Sequence, residues 1–268
     1  MSKTIVVTGG SRGIGRAVVL GAGALGWSVG VGYRDDRSAA DQVVSAIEAA
    51  GGRAVATRGN VAVEEDVVGL FGTTADAFGP LHGAVVNAGI AAPPLPLVET
   101  DIARLRRIVD VNVMGALLCA REAARRLAVS LGGGSVVLVS SAASRLGSPH
   151  EYVDYAASKG AVDSLALGLA REHAADGVRV NAVRPGRDRD GYARERRPAR
   201  LCRAARPADP GSAPRPTRGD RRRDPLASRR QRLLHDRRPA RRHGWQVEPS
   251  VVRKATLPWP RGRSRLLP

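Results

Sequence analysis

The chain has 268 residues, of which 43% are hydrophobic, and a formal net charge of +18. This length suits one large domain with a substantial core, or at most two small domains. The charge is unevenly distributed, because residues 1–186 hold 18 of the 43 Lys and Arg residues and 17 of the 25 Asp and Glu residues. The first part is therefore nearly neutral, and residues 187–268 carry almost all of the positive charge.

The cysteines and the N-terminus bear on the compartment. Two cysteines, Cys119 and Cys202, exclude a disulfide framework and fit a reducing environment. Cys119 has apolar neighbours and is expected in the core. The start, MSKTIVVTGG, reaches glycine within ten residues, and no apolar run approaches the ~18 residues of a membrane span. We therefore expect a cytoplasmic protein with no membrane association, and we predict no metal site.

Short strands and helices alternate as far as residue 186. Six Val-rich runs, bounded by Gly, Asn or Ser, predict strands: TIVVTG, SVGVGYR, RAVATRGN, GAVVNAG, SVVLVSS and VRVNAVRPG. Apolar residues at helical spacing predict helices between them: SRGIGRAVVLGAGALG, SAADQVVSAIEAAG, EEDVVGLFGTTADAFG, TDIARLRRIVDVNVMGALLCAREAARRLA and YAASKGAVDSLALGLAREHAADG. This alternation predicts an α/β fold, a doubly wound parallel sheet with helices on both faces.

The turn after the first strand reads TGGSRGIG, residues 8–15. Gly9, Gly13 and Gly15 leave room for the backbone to approach a pyrophosphate at a helix N-terminus. The alternative is an ordinary tight turn between a strand and a helix. The position directly after the first strand favours a dinucleotide site.

The stretch YAASK places Tyr155 and Lys159 four residues apart, so they share one face of a helix. A tyrosine with an ordinary pKa near ~10 is a poor acid–base catalyst at neutral pH, and a nearby ammonium group lowers that pKa by favouring the phenolate. The alternative is a surface tyrosine that stacks on a lysine stem.

Other polar residues lie at the ends of predicted strands. Ser140 and Ser141 end one strand, where parallel sheets bind their ligands, and a serine hydroxyl there can donate to a carbonyl oxygen as charge develops on it. A serine at a strand end is also a routine turn former. The NAG stretch, residues 87–89, ends another strand, and Asn112 lies in an otherwise apolar helix where it needs a partner.

Together, TGGSRGIG, NAG, Asn112, Ser141 and YAASK resemble, in this order, the motifs of the short-chain dehydrogenase/reductase family. The resemblance implies a Rossmann-type fold, a nicotinamide cofactor, and hydride transfer between the nicotinamide C4 and a carbonyl or alcohol carbon. By position, it implies that Tyr155 is the acid–base residue and that Lys159 lowers its pKa and holds the nicotinamide ribose. Ser141 would orient the carbonyl, and Asn112 would anchor a water in the proton relay.

The resemblance also implies which residues hold the cofactor. These are Gly9, Ser11, Arg12, Gly13, Ile14, Gly15, Arg34, Asn60, Val61, Asn87, Ala88, Gly89, Tyr155, Lys159, Pro185 and Gly186.

The choice between NADP and NAD depends on the end of the second strand. An acidic residue there accepts a hydrogen bond from a ribose 2′-hydroxyl, whereas an arginine accommodates a 2′-phosphate. Arg34 follows this strand, and Arg12 in the glycine turn is the other cation that NADP-preferring relatives carry. Asp35 keeps NAD possible. The alternative is that both arginines are merely solvated charges, and we favour NADP.

Two positions depart from the family's pattern. Ser141 and Tyr155 are fourteen positions apart rather than thirteen, and the thirteenth position back from Tyr155 is Ala142. We interpret this as one extra residue in the loop SRLGSPHEYVD, which leaves Ser141 at the strand end; Ser140 is the less favoured substitute. Asn60 stands where relatives carry an aspartate that contacts the adenine, and its side chain still offers an acceptor.

Residues 187–268 admit three interpretations. Their cations could neutralise nucleic-acid phosphates, although almost no aromatic residues are present for base stacking. They could form an irregular or disordered extension that lacks the apolar content to fold. They could also be a displaced reading frame, because a GC-rich gene read out of frame yields Arg, Pro and Ala.

The displaced frame is the interpretation we favour. Read one nucleotide later with permissive third bases, RDRDGYARERR can encode Ile-Glu-Thr-Asp-Met-His-Ala-Ser-Gly-Gly, and a later stretch can encode a helix, a YTTG turn and a strand ending in Gly-Gly. These look like the family's substrate-covering segment, penultimate helix and last strand. We therefore assign residues 1–186 to the catalytic domain and treat the tail after Gly186 as frame-shifted. As written, the chain is expected to bind cofactor poorly and to turn over slowly or not at all.

Two functional hypotheses remain. The first is an NADP-preferring oxidoreductase that acts on a small-molecule alcohol or carbonyl and, by resemblance, forms a homo-oligomer, either a dimer or a tetramer. The second is a non-catalytic protein that binds a cofactor or associates with nucleic acid through its basic tail. The set of Ser141, Tyr155 and Lys159 favours the enzyme, and nucleic acid is not the partner we expect.

Overall fold

The computed structural model describes residues 2–131 and 133–186. The basic tail and its predicted reading frame lie outside the described residues. So does Cys202, and the boundary that we draw at Gly186 therefore stays a prediction.

Among the described residues, six parallel strands form one sheet in the order β3-β2-β1-β4-β5-β6. They are β1 (Thr4–Val7), β2 (Ser28–Tyr33), β3 (Arg53–Arg58), β4 (Gly83–Val86), β5 (Gly134–Val139) and β6 (Val178–Val183). The chain winds outward from β1 to β3 and then crosses to β4 on the other side of β1. This order confirms the predicted doubly wound sheet. Ligands of such sheets bind beyond the carboxyl ends of the strands, where the winding changes direction.

The described residues form seven helices. They are α1 (Gly13–Ala24), α2 (Arg37–Ala49), α3 (Glu64–Phe78), α4 (Ile102–Val109), α5 (Gly115–Leu131), α6 (Ala143–Leu146) and α7 (Val153–Glu172). A short 3-10 turn, Leu97–Glu99, precedes α4. Within the described ranges, no helix is both long and apolar enough to cross a membrane.

The core has two layers because successive residues of a strand point to opposite faces. Val6 packs with apolar residues of α3, α5 and α7, whereas its neighbour Val7 packs with those of α1 and α2. Cys119 is fully buried in the first layer, as its neighbours predict. Strands buried on both faces explain the continuous Val-rich runs in the sequence.

The helical stretch from residue 100 to residue 128 is interrupted, although its periodicity predicts a single helix. Asp110–Met114 forms a π-helical turn between α4 and α5. Such turns insert one residue into a helix and recur at functional sites. The buried Asn112 lies inside this turn.

Candidate active site

The glycine turn between β1 and α1 has room for backbone only. Gly9 and Gly13 have positive φ angles of 65° and 55°, which favour glycine. A Cβ atom at Gly15 would lie 2.1 Å from the carbonyl oxygen of Gly9 and 2.6 Å from Nδ2 of Asn87. A backbone held this closely at a helix N-terminus fits a pyrophosphate group.

The residues around this turn remain accessible. Ser11 is half-buried, and Arg12, Gly13 and Ile14 are exposed. Arg12 precedes the first residue of α1 without capping it through its side chain. The backbone N–H groups of the first helical turn therefore face a surface that a ligand can reach.

Thr8 and Asn87 join the ends of β1 and β4. The buried Thr8 hydroxyl accepts hydrogen bonds from the backbone N–H groups of Asn87 and Ala88, both at 3.0 Å. In return, Nδ2 of Asn87 donates to the carbonyl oxygens of Thr8 and Gly9. Sequence reasoning missed Thr8, although it is the first letter of the glycine motif.

Lys159 is the buried cation of the site. Its side chain lies on α7 and is almost fully buried, with a residue exposure of 5%. Nζ donates to the carbonyl oxygen of Val139, the last residue of β5, at 2.8 Å, and lies 5.8 Å from the centre of the Tyr155 ring. Burial lowers the pKa of Lys159 from 10.5 to about 8. The negative charge of Asp163 opposes this effect, because it favours the protonated lysine.

Asn112 joins the π-helical turn to the loop after β4. Its Oδ1 accepts from the N–H of Ile90 at 2.8 Å, and its Nδ2 donates to the carbonyl oxygen of Ile90 and to the Ser158 hydroxyl. Gly89 lies between the two predicted site residues, since a Cβ there would lie 3.3 Å from both Oδ1 of Asn112 and Nζ of Lys159. The NAG stretch, Asn112 and Lys159 thus meet in one place.

Ser140 and Ser141 follow β5 directly. The buried Ser140 hydroxyl donates to the carbonyl oxygen of Lys159 at 3.1 Å, so this side chain is engaged with α7. Ser141 is half-buried and its Oγ accepts from the N–H of Ala143. The next N–H, that of Ala142, donates to the carbonyl oxygen of Pro185. Ser141 therefore lies beside the segment that leads to Gly186.

The loop between Ser141 and Tyr155 has an unusual backbone. Ser148 and His150 adopt positive φ angles of 44° and 64°, a conformation that few residues other than glycine adopt. Both residues lie within the stretch where we infer an extra residue.

The adenosine end of the predicted site lies at β2 and β3. Arg34 is exposed and pairs with the exposed carboxylate of Asp35 at 3.5 Å. Asn60 closes a turn after β3, in which its Oδ1 accepts from the N–H of Ala62. Val61 packs against Gly115, because a Cβ at that glycine would lie 2.7 Å from a Val61 methyl group. This turn is therefore tied to the helix that carries Asn112.

Two polar clusters that involve carboxylates of α7 escaped the sequence reasoning. Arg104 of α4 forms a buried ion pair at 2.7 Å with Asp154, the residue before Tyr155. Arg184, at the end of β6, donates to Asp163 of α7 at 2.8 Å, and Ser144 also contacts this carboxylate. The position of Asp163, one turn after Lys159, was an available signal for the second cluster.

The winding of the sheet and the glycine turn at its switch point define an α/β nucleotide-binding fold. A family model described as short chain dehydrogenase matches residues 3–198. The chain therefore belongs to the short-chain dehydrogenase/reductase family, whose members bind a nicotinamide cofactor.

Individual relatives agree with this assignment. The uncharacterized oxidoreductase YgfF of Escherichia coli is 48% identical over 183 residues, which are 68% of this chain and 74% of the relative. The cis-4-hydroxycyclohexanecarboxylate dehydrogenase of Sinomonas cyclohexanicum is 39% identical over a region that covers 69% of this chain and 72% of that relative. A crystal structure of a short-chain type dehydrogenase/reductase from Mycobacterium marinum has a TM-score of 0.65 and 33% identity, covering 69% of this chain and 74% of that chain.

Proposed function

We propose that the chain is an NAD(P)-dependent oxidoreductase in which Tyr155 exchanges a proton with a carbonyl or alcohol oxygen. The observation that carries this proposal is the buried ammonium of Lys159, 5.8 Å from the Tyr155 ring. A positive charge held in a poorly solvated place favours the negatively charged phenolate, which is the form that accepts a proton from an alcohol. When bound, the nicotinamide supplies the hydride chemistry.

The remaining residues of the site position the groups that react. Ser141 would donate a hydrogen bond to the substrate oxygen as negative charge develops on it. Both ends of the Asn112 amide are occupied by Ile90 and Ser158, so a relay water would contact its backbone rather than its side chain. Asn112 would then act mainly by holding the loop after β4 against α7.

NADP is the cofactor that we favour, with NAD as the alternative. Arg12 and Arg34 are both exposed, and cations at these two positions suit a 2′-phosphate. The narrow backbone cradle of Gly9 and Gly15 supports pyrophosphate binding in either case. We also propose that the remaining residues predicted to hold the cofactor contact it: Ser11, Gly13, Ile14, Asn60, Val61, Asn87, Ala88, Gly89, Pro185 and Gly186.

The activity is tested by following NADPH oxidation with a panel of small aldehydes and ketones. Tyr155→Phe should abolish turnover while cofactor binding is retained, because it removes one hydroxyl from the site. Tyr152→Phe is the matched control, since it removes a hydroxyl one turn earlier and should leave turnover intact. Measurable turnover that is equal in Tyr155→Phe and in the unaltered protein would refute the mechanism.

The partners proposed are a small-molecule alcohol or carbonyl substrate and further copies of the chain, in the cytoplasm. An apolar groove of about 490 Å³ lies beside α4 and α7, lined in part by Leu97, Val109 and Val153. Leu97 and Val109 are about half exposed. Such a surface suits a dimer interface. The nucleic-acid alternative depends on residues 187–268, outside the described part of the chain, and no observation favours it.

A further inference from the structure

The carboxyl ends of β2 and β3 bring two arginines together. Arg58 is the last residue of β3 and is in register with Tyr33, the last residue of β2. Arg34 follows Tyr33 directly. Nε of Arg58 donates to the carbonyl oxygen of Arg34 at 3.1 Å, so the side chain of Arg58 contacts the backbone of Arg34.

The acidic residues next to these two arginines contact the guanidinium groups weakly or not at all. Arg58 is exposed and, within residues 2–131 and 133–186, no carboxylate lies in ion-pair distance of it. Arg34 has one acidic neighbour, Asp35, at 3.5 Å, and both side chains are more than half exposed. The next carboxylate, that of Asp36, is engaged in capping α2 through the N–H of Ala39. Arg58 therefore lies against the backbone of Arg34 without an ion-pair partner among the described residues, and a phosphate group could serve as that partner.

We propose that Arg58 is a specificity-determining residue that binds the 2′-phosphate of NADP together with Arg34. This inference rests on the proposed function, since it names a further part of the same cofactor site. With Nε bound to the Arg34 carbonyl, the two terminal nitrogens of Arg58 keep the donors that suit phosphate oxygens. The same hydrogen bond fixes the backbone from which Arg34 extends.

The test separates the phosphate from the rest of the cofactor. The probes are 2′,5′-ADP, which carries the 2′-phosphate without nicotinamide, and 5′-AMP, which lacks the 2′-phosphate. Binding of both to the full chain is measured by calorimetry at pH 7.5 and an ionic strength of about 0.15 M, at which charges at opposite ends of a strand are screened from each other. Arg58→Ala should lower the affinity for 2′,5′-ADP by about tenfold or more, because a hydrogen-bonded charge contact is lost. It should leave the affinity for 5′-AMP unchanged.

Two control variants sharpen this experiment. Arg53→Ala removes one positive charge from the opposite end of β3. It should lower the affinity for 2′,5′-ADP by less than about twofold, since distant exposed charges are screened. Arg58→Lys keeps a cation at the site and should recover part of the lost affinity.

Each outcome decides the proposal. If the unaltered chain prefers 2′,5′-ADP and Arg58→Ala keeps that preference, Arg58 is not part of the site and the NADP preference stands. If Arg58→Ala weakens both probes equally, its role is structural and the proposal fails. If the unaltered chain binds 2′,5′-ADP no better than 5′-AMP, the NADP preference fails and the role of Arg58 fails with it. If the unaltered chain binds neither probe, the same variants are measured in a chain whose residues 187–268 are replaced by the reading one nucleotide later, and absence of binding there also refutes both. Only a selective loss that Arg58→Lys partly reverses supports the inference.

Discussion

Two buried ionisable side chains, those of Cys119 and Lys159, have pKa values that burial shifts in opposite directions. Burial raises the pKa of the Cys119 thiol to about 12 and lowers that of the Lys159 ammonium to about 8, because in each case the charged form is disfavoured. Cys119 therefore stays neutral in the core, whereas Lys159 titrates within reach of neutral pH. The family's lysine is thus held at a cost in stability.

This cost predicts a pH-dependent effect of Lys159→Met. Below about pH 8 the lysine is charged in the native and unfolded states, so its burial penalty is fully present; between about 8 and 10.5 the native state loses its proton first, and the penalty disappears. The variant should be more stable than the unaltered protein by roughly 1–3 kcal/mol at pH 7, and the difference should shrink above pH 8. Urea unfolding at several pH values measures it, with Lys3→Met as control. A difference that is independent of pH would contradict the prediction.

The glycine turn gives a second prediction at single residues. Gly15→Ala would press a methyl group against the Gly9 carbonyl oxygen, 2.1 Å away, and should destabilise the protein by roughly 1–3 kcal/mol. Gly21→Ala lies on the same helix, where an added Cβ meets nothing within 4 Å, and should stabilise it by up to about 1 kcal/mol. Urea unfolding of both variants provides the comparison. Similar effects of the two changes would argue against the backbone cradle described above.

At the scale of elements, the Arg104–Asp154 pair joins α4 to the start of α7. Although burial raises it, the pKa of Asp154 lies below its ordinary value, because Arg104 donates hydrogen bonds to the carboxylate. Oδ1 of Asp154 also accepts from the N–H of Tyr155, and Arg104 donates to the carbonyl oxygen of Pro93 in the loop after β4. One buried arginine thus connects three segments around the candidate site.

Removal of one partner of this pair should be severe. Arg104→Met leaves a buried carboxylate without its cation and should cost roughly 3–5 kcal/mol of unfolding free energy. Adding Asp154→Asn should restore part of it, because the orphaned charge is gone while an acceptor for the Tyr155 N–H remains. Arg37→Ala, which breaks an exposed pair with Asp41, should cost less than about 1 kcal/mol. Chemical denaturation measures all three, and equal costs at the buried and exposed pairs would refute the argument.

Much of the element level follows from the sequence, and the departures have physical causes. The Val-rich runs and the helical periodicity predict all six strands and the sheet class, because both patterns depend on which face is buried. The π-helical turn is not predicted, since Asn112 in this turn accepts a hydrogen bond from the N–H of Ile90. This contact joins segments that are distant in the sequence. Ion pairs such as Arg104–Asp154 are missed for the same reason, whereas Tyr155 and Lys159 are found because their spacing is local.

At the scale of the whole molecule, β6 is an edge of the sheet formed by the described residues. An open edge strand invites pairing with another chain unless something covers it. The family resemblance implies that a substrate-covering segment and a last strand come after this point of the chain. If the tail is a displaced frame, this chain lacks both.

Restoring the frame should therefore restore function. Replacing residues 187–268 with the reading one nucleotide later should raise turnover with carbonyl substrates at least tenfold and raise the unfolding midpoint, because the lid and the last strand return. Sequencing the coding DNA across the Gly186 codon gives an independent check. Comparable turnover with either tail, or the absence of the alternative frame in the DNA, would refute the frameshift.

The π-helical turn also constrains how this chain can vary in length. Each residue of a helix advances the side chains by about 100°, so one residue more or less in Asp110–Met114 would rotate every side chain of α5 relative to α4. The apolar stripe of α5, with Ala116, Ala120 and Ala123 in the core, would then turn away from the sheet while Arg104 kept its place. The inserted residue thus sets the phase between the helix that supports the site and the helix that supports the core, and a single-residue deletion there should be tolerated far less than one in the loop at Ser148.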